Sequence, residues 1–276
     1  DRGSKADAYG NFEATETTIS SEVPGKILQQ NAETGDRVDV TSLLALIDTS
    51  NIQLQLNQLT ATKSATASKI AQIRAQAKTY KEQKSSLTKT YDRSLKLKAT
   101  GGISQQKIDE LDGQIQVVNR QLDALDEQIN SVNKELLVID SQREILLDQK
   151  KKCFIKSPIK GTVLNSYKEV GELAGAGRPL FKIADLSNMI LRAYISGGQL
   201  ESFKIGDEVK VITDKSEDAF SEYSGKIIWV SSEAEFTPKV IQTREERLKL
   251  VYAIKVLVEN QGTLKIGMPA EVYLVQ

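Results

Sequence analysis

Two short β motifs repeat across more than a hundred residues of chain, and a continuous heptad rhythm fills the interval between them. The first runs Val23-Pro24-Gly25-Lys26-Ile27, then Glu33-Thr34-Gly35-Asp36-Arg37-Val38, then Leu43-Leu44-Ala45-Leu46-Ile47-Asp48. The second runs Pro158-Ile159-Lys160-Gly161-Thr162-Val163, then Glu169-Val170-Gly171-Glu172-Leu173, then Pro179-Leu180-Phe181-Lys182-Ile183-Ala184-Asp185. Gly25 and Gly35 stand ten residues apart, as do Gly161 and Gly171. A duplicated strand pattern interrupted in this way restricts the chain to one small β domain split by an inserted rod.

The rod reads as two helical arms. No Gly occurs between Asp36 and Thr100, and no Pro between Gly25 and Ser157, so the strongest helix breakers are missing. From Ser104 onward, apolar residues recur at Ile108, Leu111, Ile115, Val118, Leu122, Leu125, Ile129, Val132, Leu136 and Ile139. The steps alternate three and four, which is the spacing of a coiled-coil seam. The first arm keeps the rhythm less strictly, through Leu56, Leu59, Lys63, Thr66, Ile70, Ile73, Ala77, Tyr80, Lys84, Leu87, Tyr91 and Ser94. Lys63 and Lys84 lay their stems on the seam while the ammonium groups reach water. Folding the arms at Gly101-Gly102 sets Leu59 against Arg143, Ile70 against Val132, Ile73 against Ile129 and Leu87 against Ile115, mirror positions about residue 101. The rhythm predicts an antiparallel helical hairpin, each arm roughly 45 residues or about 70 Å long. Leu137, Val138, Ile145 and Leu147 stand off the seam. They either pack against the β domain or meet a neighbouring copy of the chain.

Composition narrows the chemistry. Only 5% of the 276 residues are aromatic, as suits an elongated helical body better than one large core. Lys+Arg and Asp+Glu balance at 37 each, so no global field recruits nucleic acid or an anionic membrane. There is no histidine and one cysteine, Cys153. An internal disulfide is thereby impossible, and most zinc and acid–base schemes fall away. Cys153 opens the apolar run Cys153-Phe154-Ile155 and reads as a buried structural residue. Gly171-Glu172-Leu173-Ala174-Gly175-Ala176-Gly177 is Gly-rich but lies between short strands, not before a helix, and reads as a loop rather than a phosphate cradle. No catalytic, cofactor or metal residue is assigned, and an enzyme is not expected. No stretch approaches the roughly 20 apolar residues of a membrane span.

The halves of the β domain resemble those of lipoyl/biotinyl domains, in which two quasi-identical four-strand halves join through a hairpin bearing a modified lysine. Here the rod occupies that joint, between Asp48 and Cys153, and no Met-Lys-Met or Asp-Lys-Ala turn is present. Carrier chemistry is therefore not expected at Lys26 or Lys160. Beyond residue 187 the pattern changes to strands: Met189-Ile190-Leu191-Arg192-Ala193-Tyr194, Glu208-Val209-Lys210-Val211-Ile212, Gly225-Lys226-Ile227-Ile228-Trp229-Val230, Val251-Tyr252-Ala253-Ile254-Lys255-Val256 and Ala270-Glu271-Val272-Tyr273-Leu274. A small antiparallel barrel accommodates them without an exposed edge. Residues 12–20 are expected to add one strand to it, and the polar residues 233–249 to form a loop.

A lipoyl-like domain interrupted by a helical hairpin and followed by a barrel resembles the HlyD-type periplasmic adaptors, or membrane-fusion proteins. The likeness covers nearly the whole chain. It rests on Val23-Pro24-Gly25-Lys26-Ile27, Glu33-Thr34-Gly35-Asp36-Arg37-Val38, Ile155-Lys156-Ser157-Pro158-Ile159-Lys160-Gly161-Thr162-Val163 and Gly267-Met268-Pro269-Ala270. The fold implied is an α+β multi-domain chain: a long antiparallel coiled-coil hairpin inserted into a split lipoyl-like β-sandwich, followed by a small antiparallel β-barrel. Its expected divisions are a linker and barrel strand at 1–20, sandwich halves at 21–49 and 153–186, the hairpin at 50–152, and the barrel at 187–276.

The hairpin tip adds a sharper match. Adaptors that dock to TolC-like outer-membrane channels carry an Arg, a Leu four residues on, and a Ser seven beyond that. Arg93, Leu97 and Ser104 have this spacing, and the resemblance implies that they meet the channel, with Gly101 and Gly102 forming the turn. Physics supplies a plainer account of the same residues. Ser104 suits the N-cap of the second helix, Leu97 closes the hairpin end, and Arg93 is a solvated charge. The cap and docking roles of Ser104 are compatible.

The function implied is a non-enzymatic adaptor bridging an inner-membrane exporter to a TolC-like channel. The long hairpin and Phe236-Thr237-Pro238-Lys239-Val240-Ile241-Gln242-Thr243-Arg244-Glu245-Glu246-Arg247 resemble the subgroup serving ABC-type exporters. A hexameric ring, a periplasmic location and an inner-membrane anchor preceding Asp1 follow from the same resemblance. The separate membrane-proximal domain of many adaptors is expected to be absent or truncated here. The alternative is a coiled-coil envelope spacer or scaffold not tied to transport.

Overall fold

The computed structural model describes residues 6–99, 101–216, 219–235 and 251–275. The chain divides into two compact units, Asp1–Ile47 with Phe154–Gln276, and Asp48–Cys153.

The second unit is a pair of long antiparallel helices, α1 (Ser50–Lys98) and α2 (Gln105–Lys152). At 49 and 48 residues each, they run about 72 Å. Every buried residue of the pair lies on the heptad seam: Leu56, Thr66, Ala77 and Ser94 of α1, and Ile108, Leu111, Val118, Leu125, Val132 and Ile139 of α2. Thin side chains on one arm face bulky ones on the other, since the register puts Ala77 opposite Leu125 and Ser94 opposite Ile108. Polar contacts fix that register. Lys63 Nζ donates to Asp140 Oδ1 at 2.6 Å, one position from the Ile139 opposite it in the mirror. Lys150 Nζ donates to Gln53 Oε1 at 2.7 Å, one position from Ile52. Both members of the Lys63–Asp140 pair are more than 40% exposed, so the pair adds at most about 1 kcal/mol and the seam holds the arms together. Leu137, Val138 and Ile145 are 65%, 57% and 60% exposed. The fourth off-seam residue, Leu147, is half-buried.

The first unit begins with β1 (Ala8–Glu13) and β2 (Glu16–Ser20). These correct the expected single barrel strand at 12–20. Phe12 is buried in the barrel core, while Ile19 is buried in a separate sheet. Seven residues is an odd interval, and a strand's side chains alternate, so one continuous strand would point Phe12 and Ile19 to opposite faces. The chain instead breaks at Ala14-Thr15 and divides between the two structures.

After β2 come β3 (Gly25–Gln30), β4 (Arg37–Val38) and β5 (Leu43–Ile47). The helices follow, and then β6 (Phe154–Lys156), β7 (Gly161–Ser166), β8 (Leu173–Ala174) and β9 (Pro179–Ala184). They form two four-stranded sheets, in the orders β2-β9-β7-β4 and β6-β5-β3-β8. Each sheet takes two strands from either side of the helical pair, so neither half of the chain completes a sheet by itself.

The duplication holds atom by atom at a constant offset of 136 residues, the separation of Gln30 from Ser166, whose side chains meet. Ile27 N–H donates to Glu172 O, and Val163 N–H to Asp36 O, both at 2.9 Å. Gly171 N–H donates to Ile27 O, and Gly35 N–H to Val163 O, both at 2.8 Å. The register shift at Ile27/Gln29 in β3 recurs at Val163/Asn165 in β7. Buried Leu44 and Ile47 correspond to buried Leu180 and Ile183. One pair breaks the chemical likeness while keeping the backbone. Thr41 has φ +70° and its counterpart Gly177 has φ +74°, each donating its N–H across the pseudo-axis, to Ser157 O and Ser21 O.

Cys153 is not the first residue of a strand but the last of the α2 turn. Its N–H donates to Lys150 O and its thiol to Gln149 O. It is buried, and burial, with the nearby Asp48 carboxylate adding to it, pushes the thiol pKa up.

The remaining strands are β10 (Asn188–Ser196), β11 (Glu208–Ser216), β12 (Ala219–Val230), β13 (Val251–Glu259) and β14 (Pro269–Leu274). With β1 they close an antiparallel barrel in the order β1-β10-β13-β12-β11-β14. Met189, Leu191, Ala193 and Ile195 alternate into its core along β10. Outward from the same strand, Arg192 holds Glu235 through two hydrogen bonds of 2.9 and 2.8 Å and lies 5.9 Å from the Tyr194 ring centroid. Residues 236–247, on which the ABC-subgroup likeness partly rests, lie outside the described residues, as does most of the polar stretch expected as a loop at 233–249.

Candidate functional site

The free end of the helical pair is built around a glycine turn. Gly101 takes φ +79°, a left-handed conformation that an L side chain resists. Its N–H donates to Lys98 O at 2.9 Å, and the Gly102 N–H donates to Leu97 O at 3.0 Å. This crossed pair is the Schellman pattern, which satisfies carbonyls that a helix end otherwise leaves open. Lys96 and Lys98 sit in the last turn of α1, where cations favour the helix dipole. Lys98 also donates to Gln105 Oε1 across the turn.

Arg93 and Leu97 are four residues apart and so share a face of α1. Both are exposed, Leu97 to 47%, and Arg93 makes no ion pair among the described residues. Ser104 occupies the N-cap of α2 with φ −76° and ψ 154°, and its carbonyl accepts the Lys107 N–H at 3.2 Å. Its hydroxyl makes no capping bond. The expected cap is thus a backbone feature only. The first turn of α2 is tied instead by Gln105 Nε2 donating to Asp109 Oδ1 at 2.6 Å.

All three singled-out residues are exposed; Leu97 and Ser104 stand next to the glycine turn, and Arg93 lies one turn of α1 further back than Leu97. Sequence reasoning missed Leu95, which is 41% exposed on the opposite side of α1 from Arg93 and Leu97. Its signal was available: an apolar residue out of step with the seam, immediately after buried Ser94. What the tip offers is an exposed leucine, Leu97, sharing a helix face with the Arg93 guanidinium, and the exposed Ser104 across the turn, a mix of apolar and polar groups of the kind that meets a protein surface.

No helix among the described residues is long and apolar enough to cross a membrane. Residues 15–186 match the family described as RND membrane-fusion protein, barrel-sandwich hybrid domain. A membrane protein of Yersinia enterocolitica, UPF0194 membrane protein YE2891, is 38% identical over 121 residues, which is 44% of this chain and 36% of that protein. A second, UPF0194 membrane protein YbhG of Salmonella arizonae, is 34% identical over 117 residues, 42% of this chain and 35% of the relative. The matched region thus spans little more than a third of these curated relatives. Among solved structures, MacA from Actinobacillus actinomycetemcomitans superimposes with a TM-score of 0.56 at 24% identity, covering 100% of this chain and 82% of that one. The membrane-fusion protein Spr0693 from Streptococcus pneumoniae does so with a TM-score of 0.58 at 15% identity, covering 96% and 97%. These two likenesses concern the fold. The match over residues 15–186 takes in both sheets and the helical pair between them, and on that ground the chain belongs to the membrane-fusion proteins with an RND-type barrel-sandwich hybrid domain.

Proposed function

We propose that the chain is the periplasmic adaptor of a tripartite export system, joining an inner-membrane exporter of the ABC type to a TolC-like outer-membrane channel, and that it performs no chemistry itself. The observation that carries this reading is the helical pair. Its two arms satisfy their own backbone hydrogen bonds and bury one seam, and it ends in an exposed Arg93–Leu97–Ser104 surface. A rod of that kind spans water at little cost and delivers a recognition surface about 70 Å from its base. Family membership supports the adaptor role, and the length of the arms supports the ABC-type partner. In this reading several copies assemble, six in a ring, with a membrane anchor upstream of residue 1.

The test is charge reversal at the tip. Arg93→Asp leaves the exposed helix surface folded, with stability within about 0.5 kcal/mol of the parent, and abolishes export of the system's substrate in cells. Circular dichroism and an export assay read the two halves of this expectation. Normal export by the folded variant would remove the docking role. A photo-crosslinker at position 97 then names the partner directly, as an outer-membrane channel or only other copies of the chain.

A further inference from the structure

We propose that a groove beside the Gly-rich turn of the second half-repeat binds a small amphiphilic anion: an apolar or aromatic body bearing one carboxylate, sulfate or phosphate. The groove is open to solvent with a volume of about 690 Å³, and Pro24, Tyr167, Leu173, Pro179, Lys168 and Arg178 line it. That volume is within the range of small-molecule sites, which pair apolar walls with a few placed polar groups. Leu173 is 72% exposed, a large apolar side chain kept in water at the groove's edge. Lys168 is neutralised by Glu172 at 3.3 Å. Arg178 makes no side-chain hydrogen bond or ion pair among the described residues, so the groove carries one uncompensated positive charge.

The backbone brings the arginine stem to the groove. Arg178 N–H donates to Gly175 O at 3.0 Å, closing a turn, and a Cβ at Gly175 would lie 3.2 Å from Arg178 Cγ, so the stem passes close to that glycine. A guanidinium without a protein partner offers the planar fork that binds an oxyanion by two hydrogen bonds.

The internal duplication supplies the control. The positions matching Tyr167, Leu173 and Arg178 in the first half are Asn31, Arg37 and Ser42. The backbones correspond closely: Ser42 N–H donates to Asp39 O at 3.1 Å just as Arg178 N–H donates to Gly175 O, and Asn31 N–H donates to Leu44 O as Tyr167 N–H does to Leu180 O. The fold is therefore satisfied by polar residues at all three places. An aromatic ring, an exposed leucine and an unpaired arginine in one copy alone form a set the scaffold does not require. A ligand with an apolar body and one negative charge accounts for all three. The inference is independent of docking at the helical tip.

The experiment is fluorescence titration of the whole chain with 8-anilinonaphthalene-1-sulfonate, an aromatic anion whose emission rises on leaving water. Saturable one-to-one binding is expected. Arg178→Ser and Leu173→Arg, which install the first-half residues, should each weaken it about tenfold or more, the loss of one charge-assisted contact or of the apolar wall. Arg37→Leu, on the opposite copy, should leave it unchanged. Displacement by dodecanoate assigns the site to single-chain lipid acids, and displacement by 1-naphthoate to ring-bearing soluble acids. Absence of saturable binding, or binding indifferent to both Arg178→Ser and Leu173→Arg, overturns the proposal. So does a shift in sedimentation of those variants with dye binding intact, which would make the groove a contact between copies. Arg178→Ser alters only an exposed side chain and keeps the test valid should Leu173→Arg fold poorly, as circular dichroism would show.

Discussion

Thr41 and Gly177 do the same backbone work with different side chains. Both sit at positive φ, +70° and +74°, and both donate across the pseudo-axis. A β-branched residue in this region costs about 1–2 kcal/mol, partly offset by the roughly 0.5–1 kcal/mol of extra backbone entropy that a glycine loses on folding. Thr41→Gly should therefore stabilise the protein by up to about 1 kcal/mol, and Gly177→Thr should destabilise it by a similar amount, about 1 kcal/mol. Urea unfolding of the two variants reads both signs, and a loss of stability in Thr41→Gly would show that the threonine is favoured where it stands. Single residues were unevenly legible. Gly101 was readable as a turn, because a paired glycine between two helical rhythms has few other uses. The exposed, unbonded hydroxyl of Ser104 was not readable, because residue type marks a helix start without fixing a side-chain rotamer.

The helices were the most legible elements. A seam repeating every seven residues repays burial at each turn, so its phase is written along the whole arm. The buried residues of α1 and α2 fall on it without exception. Leu125→Ala, on the seam and 4% exposed, should cost about 2–5 kcal/mol. Leu137→Ser, off the seam and exposed, should change stability by no more than about 0.5 kcal/mol. Thermal melts followed by far-UV circular dichroism compare the two, and equal losses would mean that the exposed leucine is covered by another copy in solution. The short strands were harder to delimit. The run at residues 12–20 has strand composition throughout, and only the two competing cores, reached by Phe12 and Ile19, explain why it is cut.

Taken whole, the β unit is a closed exchange between halves of the chain that stand on either side of the rod. Leu46 pairs with Phe154 across antiparallel β5 and β6, so a three-residue hairpin loop, Ile47 followed by two inserted residues, spans the ends from which the helices leave. Replacing residues 48–153 by Asn-Gly should give a folded β protein with a cooperative melt. Either half alone should remain unfolded, because each sheet needs strands from both. A hairpin-less chain that fails to fold would show that the helices are part of the β unit's stability.

Residue order alone was enough for the duplication, the seam and its phase, the glycine turn and the strand-rich end of the chain. These are one-dimensional patterns, and their periods of two, three-and-four and seven follow from backbone geometry before any tertiary contact forms. Long-range packing settled which strands share a sheet, that β1 closes the barrel while β2 leaves it, that Leu137, Val138 and Ile145 are exposed, and that Tyr167, Leu173 and Arg178 line one groove. Those outcomes depend on pairings between distant segments. There the physical choice is made by competing cores and by which face is left uncovered, and neither is recorded in the local order of residues.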